Sequence, residues 1–437
     1  MFKKRRRSML ATLGFTMIIV FTYLIMSNRL SPIVALITVP IIFALFGGFV
    51  SNLGDMMLDG MKQVSSTAAL LLFAILYFGV MIDAGLFDPF IRRLLTVVNG
   101  DPVKIAMGTA ALALAVALDG DGTTTYMITV SALLPLYLKI GMNPLILATI
   151  AMLSLSVMSG MTPWGGPATR AIVATGVDPS KFFVPLIPLM IIGAIWVLLV
   201  AYFLGKKERN RVGLQKISID HVIHTGEKDV VKPTLLRWWT NLVLTAAVMV
   251  VLVKGIWPPS VIFILGFAIA LMINFPKNKV QKEIIMKHAG NALIVTALVF
   301  AAGVFTGILS GTGMVTAMSN ALISLIPDSL GSQLPLIVAI TSMPFTFVMS
   351  NDAYYFGVLP VLAETATSFG IDPIEIARAS VLGQPVHLLS PLVASTFLLV
   401  GMISKELGEY QKYAFIGCFL TSIVLILAAV ITGAISV

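Results

Sequence analysis

Two aspartates one residue apart, Asp119 and Asp121, lie in the stretch Leu118-Asp-Gly-Asp-Gly-Thr-Thr-Thr-Tyr126, with long apolar runs on both sides. A third carboxylate, Asp352, lies in Met349-Ser-Asn-Asp-Ala-Tyr354, in equally apolar surroundings. Charge at membrane depth costs several kcal/mol in rough terms, so carboxylates there mark ion or substrate paths. Hard oxygen donors suit a divalent cation, and Asp119 and Asp121, with Thr123 and Thr124 beside them, are the candidate metal ligands. Mg²⁺ keeps waters and needs few carboxylates, whereas Ca²⁺ accepts more ligands; the residues suit either. An anionic group asks instead for N–H donors and positive charge. These are available at the helix N-termini after Gly122 and Ser350, from the Ser350 and Asn351 side chains, and from Arg170 and His387. Asp352 is either a ligand contact or the N-cap of the helix that follows. Thr162, Gly165 and Ser390, at two further interruptions, complete the candidate substrate-binding set. Two carboxylates this close repel when both are ionised, and a bound cation relieves the repulsion, so a proton can exchange with cargo there. Asp119, Asp121 and His387 are therefore the proton-coupling candidates; His387 is the one of four histidines at a helix break.

The elements that hold these residues are membrane-spanning. Of the 437 residues 58% are hydrophobic and 11% charged, with more long apolar runs than a soluble domain would hold. The basic start Lys3 to Arg7 leads into an apolar stretch without a small-residue cleavage site, so the first span is expected to stay. The net charge of +9 comes from basic residues that flank apolar runs, which points to a lipid bilayer rather than to nucleic acid. Cys418 is alone, so it forms no internal disulfide and reads as a small buried hydrophobe. Neither Gly-x-Ser-x-Gly nor His-Glu-x-x-His occurs, and the carboxylates sit at two separate places rather than in one hydrolytic centre, so an enzyme is not expected.

Spans are expected at Met9–Ser27, Pro32–Val50, Val64–Ile82 and Phe183–Leu204, then at Leu235–Lys254, Pro258–Phe275, Ala289–Leu309 and from Tyr413 onward. Amphipathic helices are expected at Asp83–Asn99 and Thr312–Ile326. The apolar pieces on either side of Asp119 and of Asp352 are short for a crossing and read as re-entrant hairpins, near 103–137 and 334–368. Pro and Gly interrupt two helices, 144–175 at Ser159–Pro167 and 373–404 at Gln384–Pro391. Matching marks keep a nearly constant offset: Asp121 to Asp352 is 231 positions, Pro144 to Pro373 is 229 and Pro163 to Pro391 is 228. The chain thus reads as an all-α polytopic protein with a first repeat over 1–205, a polar linker over 206–233 and a second repeat over 234–437. About five crossings per repeat make the two halves inverted, with hairpin tips and helix breaks meeting near the midplane. Ten crossings leave the basic N-terminus and the basic linker on opposite faces; the linker with Lys277, Lys279, Lys282 and Lys287 outweighs, giving a cytoplasmic linker and external termini. Arg378 is expected to snorkel to an interface, and Asp83 and Glu364, at span edges, carry no assigned role.

The stretches Leu118–Pro135, Pro163-Trp-Gly-Gly-Pro167, Ser350-Asn-Asp-Ala-Tyr-Tyr-Phe-Gly357 and Gly383-Gln-Pro-Val-His-Leu-Leu-Ser-Pro391 resemble signatures of the CitMHS family, bacterial citrate–divalent metal–proton symporters. The resemblance covers nearly the whole chain, except that Lys3–Arg7 departs from a family start near Met9. It implies a multi-pass protein of the bacterial cell membrane, with the elevator-type fold of the wider ion transporter superfamily, and a homodimer. It also implies no permanent cofactor: Mg²⁺ or Ca²⁺ travels in a complex with citrate, together with protons. Such a one-to-one complex carries about one net negative charge at neutral pH. The residues alone leave other readings open: a Na⁺- or H⁺-coupled carrier of free di- or tricarboxylate or another organic anion on the same scaffold, or an anion channel.

Overall fold

The computed structural model describes residues 2–98, 100–214, 234–324 and 326–436. These are all helical, with no strand among the described residues. The first half runs α1 (Phe2–Met26), α2 (Pro32–Phe46), α3 (Leu53–Asp83), α4 (Asp88–Val98), α5 (Pro102–Val116), α6 (Gly122–Lys139), α7 (Pro144–Met161), α8 (Gly166–Thr175), α9 (Pro179–Phe183) and α10 (Ile187–Val212). The second half runs α11 (Leu235–Val253), α12 (Pro259–Asn274), α13 (Asn278–Gly311), α14 (Met314–Ile323), α15 (Asp328–Gly331), α16 (Leu334–Val348), α17 (Leu359–Ser368), α18 (Pro373–Ser380), α19 (Gln384–His387), α20 (Ala394–Met402) and α21 (Leu407–Ile431). Among the described residues eight stretches are long and apolar enough to cross a membrane: Arg6–Met26, Leu53–Asp83, Pro102–Asp119, Pro144–Thr175, Pro179–Val212, Leu235–Val253, Asn278–Gly311 and Leu407–Ile431. The expected spans Pro32–Val50 and Pro258–Phe275 fold as α2 and α12, apolar helices of 15 and 16 residues. Helix α10 continues to Val212, so the first residues of the expected linker are helical; 215–233 of that linker, and Asn99, lie outside the described residues.

The helix starts follow from short-range chemistry. Asp101-Pro102, Asn143-Pro144, Asp178-Pro179 and Asp372-Pro373 each place an Asx N-cap before a proline in the first turn. The side-chain oxygen accepts a backbone N–H two or three residues on, at 2.8–3.0 Å, and the proline supplies a preset φ where no N–H is needed. Large apolar side chains stay exposed around the molecule, with Phe46 81%, Leu236 78% and Ile431 82% exposed. In water that surface would drive aggregation; against lipid tails it is the proper solvent.

The spine is the crossing of α3 and α13. A Cβ added to Gly60 would lie 2.0 Å from the Gly303 carbonyl oxygen, and one on Gly307 would lie 2.3 Å from that of Met56, so the two backbones touch. Gly79 sits against His288 and Asp83 pairs with Lys287, so the helices run antiparallel. Glycines at four-residue spacing allow this approach without side-chain interference. Above it, Trp164 packs on Phe78, Phe183 and Phe263 with ring centroids 5.0–5.9 Å apart, seating the break between α7 and α8 against α3 and α12.

Arg378 does not snorkel. It is buried and donates to three backbone carbonyls, those of Lys181 at 2.5 Å, Ala434 at 3.2 Å and Phe182 at 3.3 Å, joining α18 to α9 and to the chain after α21. A guanidinium with five donors can satisfy carbonyls freed at helix ends from within the protein, which removes the reason to reach an interface.

Candidate functional site

The α5–α6 turn is a single 3₁₀ turn, Ala117–Asp119, followed by Gly120 at φ +87°. Only glycine adopts this left-handed value without strain, and a Cβ there would lie 2.9 Å from the Trp164 ring. The turn is tied by its own aspartates. Asp119 Oδ1 accepts the Asp121 N–H at 2.8 Å, while Asp121 Oδ2 caps α6, accepting both the N–H and the hydroxyl of Thr124 at 2.7 Å. The break between α7 and α8 grips the same turn: Ser159 Oγ donates to the Gly120 carbonyl at 2.7 Å and Trp164 Nε1 to that of Leu118 at 2.8 Å.

The second hairpin, α16–α17, turns at Met349–Asp352 and re-enters through a π-helical turn, Ala353–Val358. Ser350 Oγ, not Asp352, accepts a helix N–H, that of Ala353 at 3.2 Å. Asp352 instead pairs with Arg170 of α8, Nε to Oδ1 at 2.7 Å, across the two halves. Arg170 also donates to the Gly166 carbonyl at 3.0 Å. The second break grips the second hairpin: His387 Nδ1 lies 2.6 Å from the Thr346 carbonyl, and Ser390 Oγ donates to that of Phe347 at 2.6 Å. A carbonyl only accepts, so Nδ1 carries the proton and Nε2 of the neutral ring is an acceptor. The same logic orients Gln384. The Tyr355 hydroxyl donates to the Ser380 carbonyl at 3.2 Å, so it accepts from Gln384 Nε2 at 3.0 Å, and Gln384 Oε1 is left buried without a partner.

These elements enclose a cavity of about 690 Å³, within the range of small-ligand sites. Among the residues expected at the site, Asp119, Asp121, Gly122, Thr123, Thr124, Arg170, Ser350, Asn351, Asp352 and His387 line it. Thr162, Gly165 and Ser390 do not. Thr162 is fully buried; a Cβ on Gly165 would lie 1.8 Å from the Ser159 carbonyl oxygen, so that residue closes the turn; and Ser390 spends its hydroxyl on Phe347. Sequence reasoning gives no site role to Gln384 or Trp164, nor to Asp83, Lys287 and His288, all of which line the cavity. Lys287 and His288 stand just before the apolar run that was read as a span, and pairing across 205 residues leaves no local signal. Among the described residues no group of three or more His, Cys, Asp or Glu has a metal-holding arrangement.

An all-helical, multi-pass protein with two gripped hairpins around one polar cavity has the fold of membrane transporters. The YdaH transporter of Alcanivorax borkumensis superposes with a TM-score of 0.57 over 88% of each chain at 13% identity. The Neisseria gonorrhoeae MtrF antimetabolite efflux pump does so at 0.59 and 14% identity, over 88% of this chain and 84% of that one. The chain belongs to the CitMHS citrate transporter family, whose model matches residues 1–383. The match includes the basic residues Lys3–Arg7, which corrects the expectation that this segment departs from the family. Three Bacillus subtilis relatives align over 98% of this chain and their full lengths. They are a citrate transporter at 58% identity, the uncharacterized transporter YraO at 57% and a Mg²⁺/citrate complex secondary transporter at 49%. The protein is thus a multi-pass member of a secondary citrate transporter family in the bacterial cell membrane.

Proposed function

We propose that this protein takes up citrate complexed one to one with a divalent cation, Mg²⁺ or Ca²⁺, in symport with protons. The observation that carries the reading is the charge of the cavity wall. Its titratable side chains are four aspartates, Asp83, Asp119, Asp121 and Asp352, against Lys287 and Arg170, a formal charge of −2 when every carboxylate is counted as ionised and the histidines as neutral. Free citrate, near −3, is repelled by such a wall far more than a complex near −1 that arrives with protons. The Mg²⁺/citrate complex transporter among the relatives supports the same choice.

The cargo has two faces. The cation, already held by citrate and water, turns toward Asp119, Asp121, Thr123 and Thr124; a carboxylate pair is too small a cage to hold it alone, which suits a metal that arrives with its own ligands. The citrate carboxylates turn toward Arg170, Ser350, Asn351 and the N–H groups opening α6. A proton is exchanged at the Asp119–Asp121 pair, where the cation's arrival relieves repulsion, and Nε2 of His387 is a second acceptor. The antiparallel α3 and α13, third long helices of their halves, support an inverted repeat, and hairpins gripped by their own breaks support elevator movement of the four interrupted segments.

The test is uptake of labelled citrate into proteoliposomes under an inward proton gradient, with Mg²⁺, with Ca²⁺ or with a chelator. Uptake that requires a divalent cation and collapses with an uncoupler is the expected result. Uptake indifferent to chelation would mean that free carboxylate is the cargo.

A further inference from the structure

The wall of the cavity built by α3 and α13 is apolar except at one end. Along α3 it presents Leu71, Ile75 and Phe78, then Asp83; along α13 it presents Leu298 and Val295, then Asn291, His288 and Lys287. The polar groups are fixed in place. Asp83 accepts from His288 Nε2 at 2.9 Å through one oxygen and pairs with Lys287 through the other. The His288 ring occupies a notch that exists because residue 79 is glycine: a Cβ there would lie 2.6 Å from the ring. Asp83 is 11% exposed but Lys287 is 59% exposed, so the ammonium stands at the open side of the cluster. One of its three N–H donors goes to Asp83, and the others are free for an anion. Asn291, one turn further along the same face, adds an amide donor.

We infer that Lys287, with Asn291, forms a reception site for a carboxylate of the incoming cargo, distinct from the site at the hairpin tips. The two sites differ in charge. Around the tips stand Asp119, Asp121 and Asp352 against Arg170; at the α3–α13 end Lys287 is balanced by Asp83 alone. An anionic complex is therefore drawn first to Lys287, and turns its cation to the aspartates afterwards. Asp83 holds the Lys287 ammonium in place while the site is empty, so an arriving carboxylate meets its remaining N–H donors already positioned rather than ordering a free side chain. The inference rests on the metal–citrate reading above.

The experiment is citrate uptake with Mg²⁺ by wild type, Lys287→Met and Lys287→Arg in proteoliposomes, at low and high ionic strength, with the thermal midpoint of each protein. Loss of a steering charge is expected to raise KM about tenfold at low salt, with the maximal rate kept. The wild type's KM should rise with salt, the methionine variant's should not, and arginine should restore both KM and salt response. A methionine variant with wild-type KM and salt response overturns the inference while leaving the functional reading intact. So does one that loses maximal rate and thermal midpoint in both Lys287 variants, which would make the cluster a helix staple. A wild type that takes up no citrate overturns both.

Discussion

Among the described residues the ion pair between Arg170 and Asp352 is the one charged bond that joins the first helix break to the second hairpin tip, and its removal separates a structural role from a cargo role. The side chains are 23% and 13% exposed. Two unit charges about 4 Å apart attract by ~4 kcal/mol at an effective dielectric of about 20. Desolvation and side-chain ordering oppose this, leaving a coupling of about 2 kcal/mol, roughly a thirtyfold change in an equilibrium constant. Arg170→Gln leaves Asp352 uncompensated in an already acidic cavity; Asp352→Asn leaves the guanidinium with the Gly166 carbonyl alone. Each single variant should lose about 2–3 kcal/mol of unfolding free energy in a denaturant titration. The double variant, with both charges gone, should be more stable than the sum of the single losses by the coupling energy. Uptake should behave differently: on the proposed reading, in which Arg170 also meets the citrate carboxylates, the double variant regains stability but not transport. Additivity of the two losses to within about 0.5 kcal/mol would refute the pairing argument, and a transporting double variant would refute the cargo role of Arg170.

Other changes test the remaining parts of the site. Asp119→Asn and Asp121→Asn should each abolish metal–citrate uptake while membrane expression holds, measured by labelled uptake against quantitative blotting. Gly120→Ala forces a side chain to φ +87° and against Trp164; about 1–2 kcal/mol of strain at the tip should lower transport with normal expression. Gly303→Val sets atoms where its Cβ alone would lie 2.7 Å from Val64 and 2.8 Å from the Gly60 carbonyl oxygen; folded yield in detergent should fall, by 1–3 kcal/mol or more in rough terms of overpacking. Arg378→Met strands three backbone carbonyls, those of Phe182 and Ala434 in buried bonds, and should cost about 2–3 kcal/mol of thermal stability without altering KM in the molecules that fold.

What the sequence made legible was local chemistry. Asp-Gly-Asp-Gly announces a turn because a glycine between two capping aspartates has few other uses between apolar helices, and the turn forms with Gly120 left-handed and Asp121 as the cap. Asx-Pro pairs announce helix starts for equally local reasons. The contacts that decide the site are remote in sequence and were not legible. Arg170 and Asp352 are 182 positions apart, and of the two roles open to Asp352, ligand contact or N-cap, the cap is not formed and the carboxylate pairs with Arg170 instead. Arg378 reads as a surface charge until the carbonyls of Lys181, Phe182 and Ala434 are seen around it. Asp83 and His288 find each other across the α3–α13 crossing, which depends on glycines 60, 79, 303 and 307 acting together.

The pattern of bonds divides the structure into parts joined by hydrogen bonds and parts joined by apolar contact. Each hairpin is held by side chains from the interrupted helix of its own half: Ser159 and Trp164 reach the first turn, His387 and Ser390 the second. Arg170 and Asp352 then join the two assemblies. Toward α3 and α13 these interrupted segments make no side-chain hydrogen bond among the described residues; the contact there is aromatic and aliphatic, led by Phe78 against Trp164. Hydrogen bonds have fixed partners and resist sliding, whereas an apolar face keeps much of its contact energy through small displacements. On the elevator reading proposed above, the hairpins and breaks would form the body that carries cargo, and the α3–α13 spine, with Lys287 and His288 at one end of its cavity face, the surface past which that body would travel.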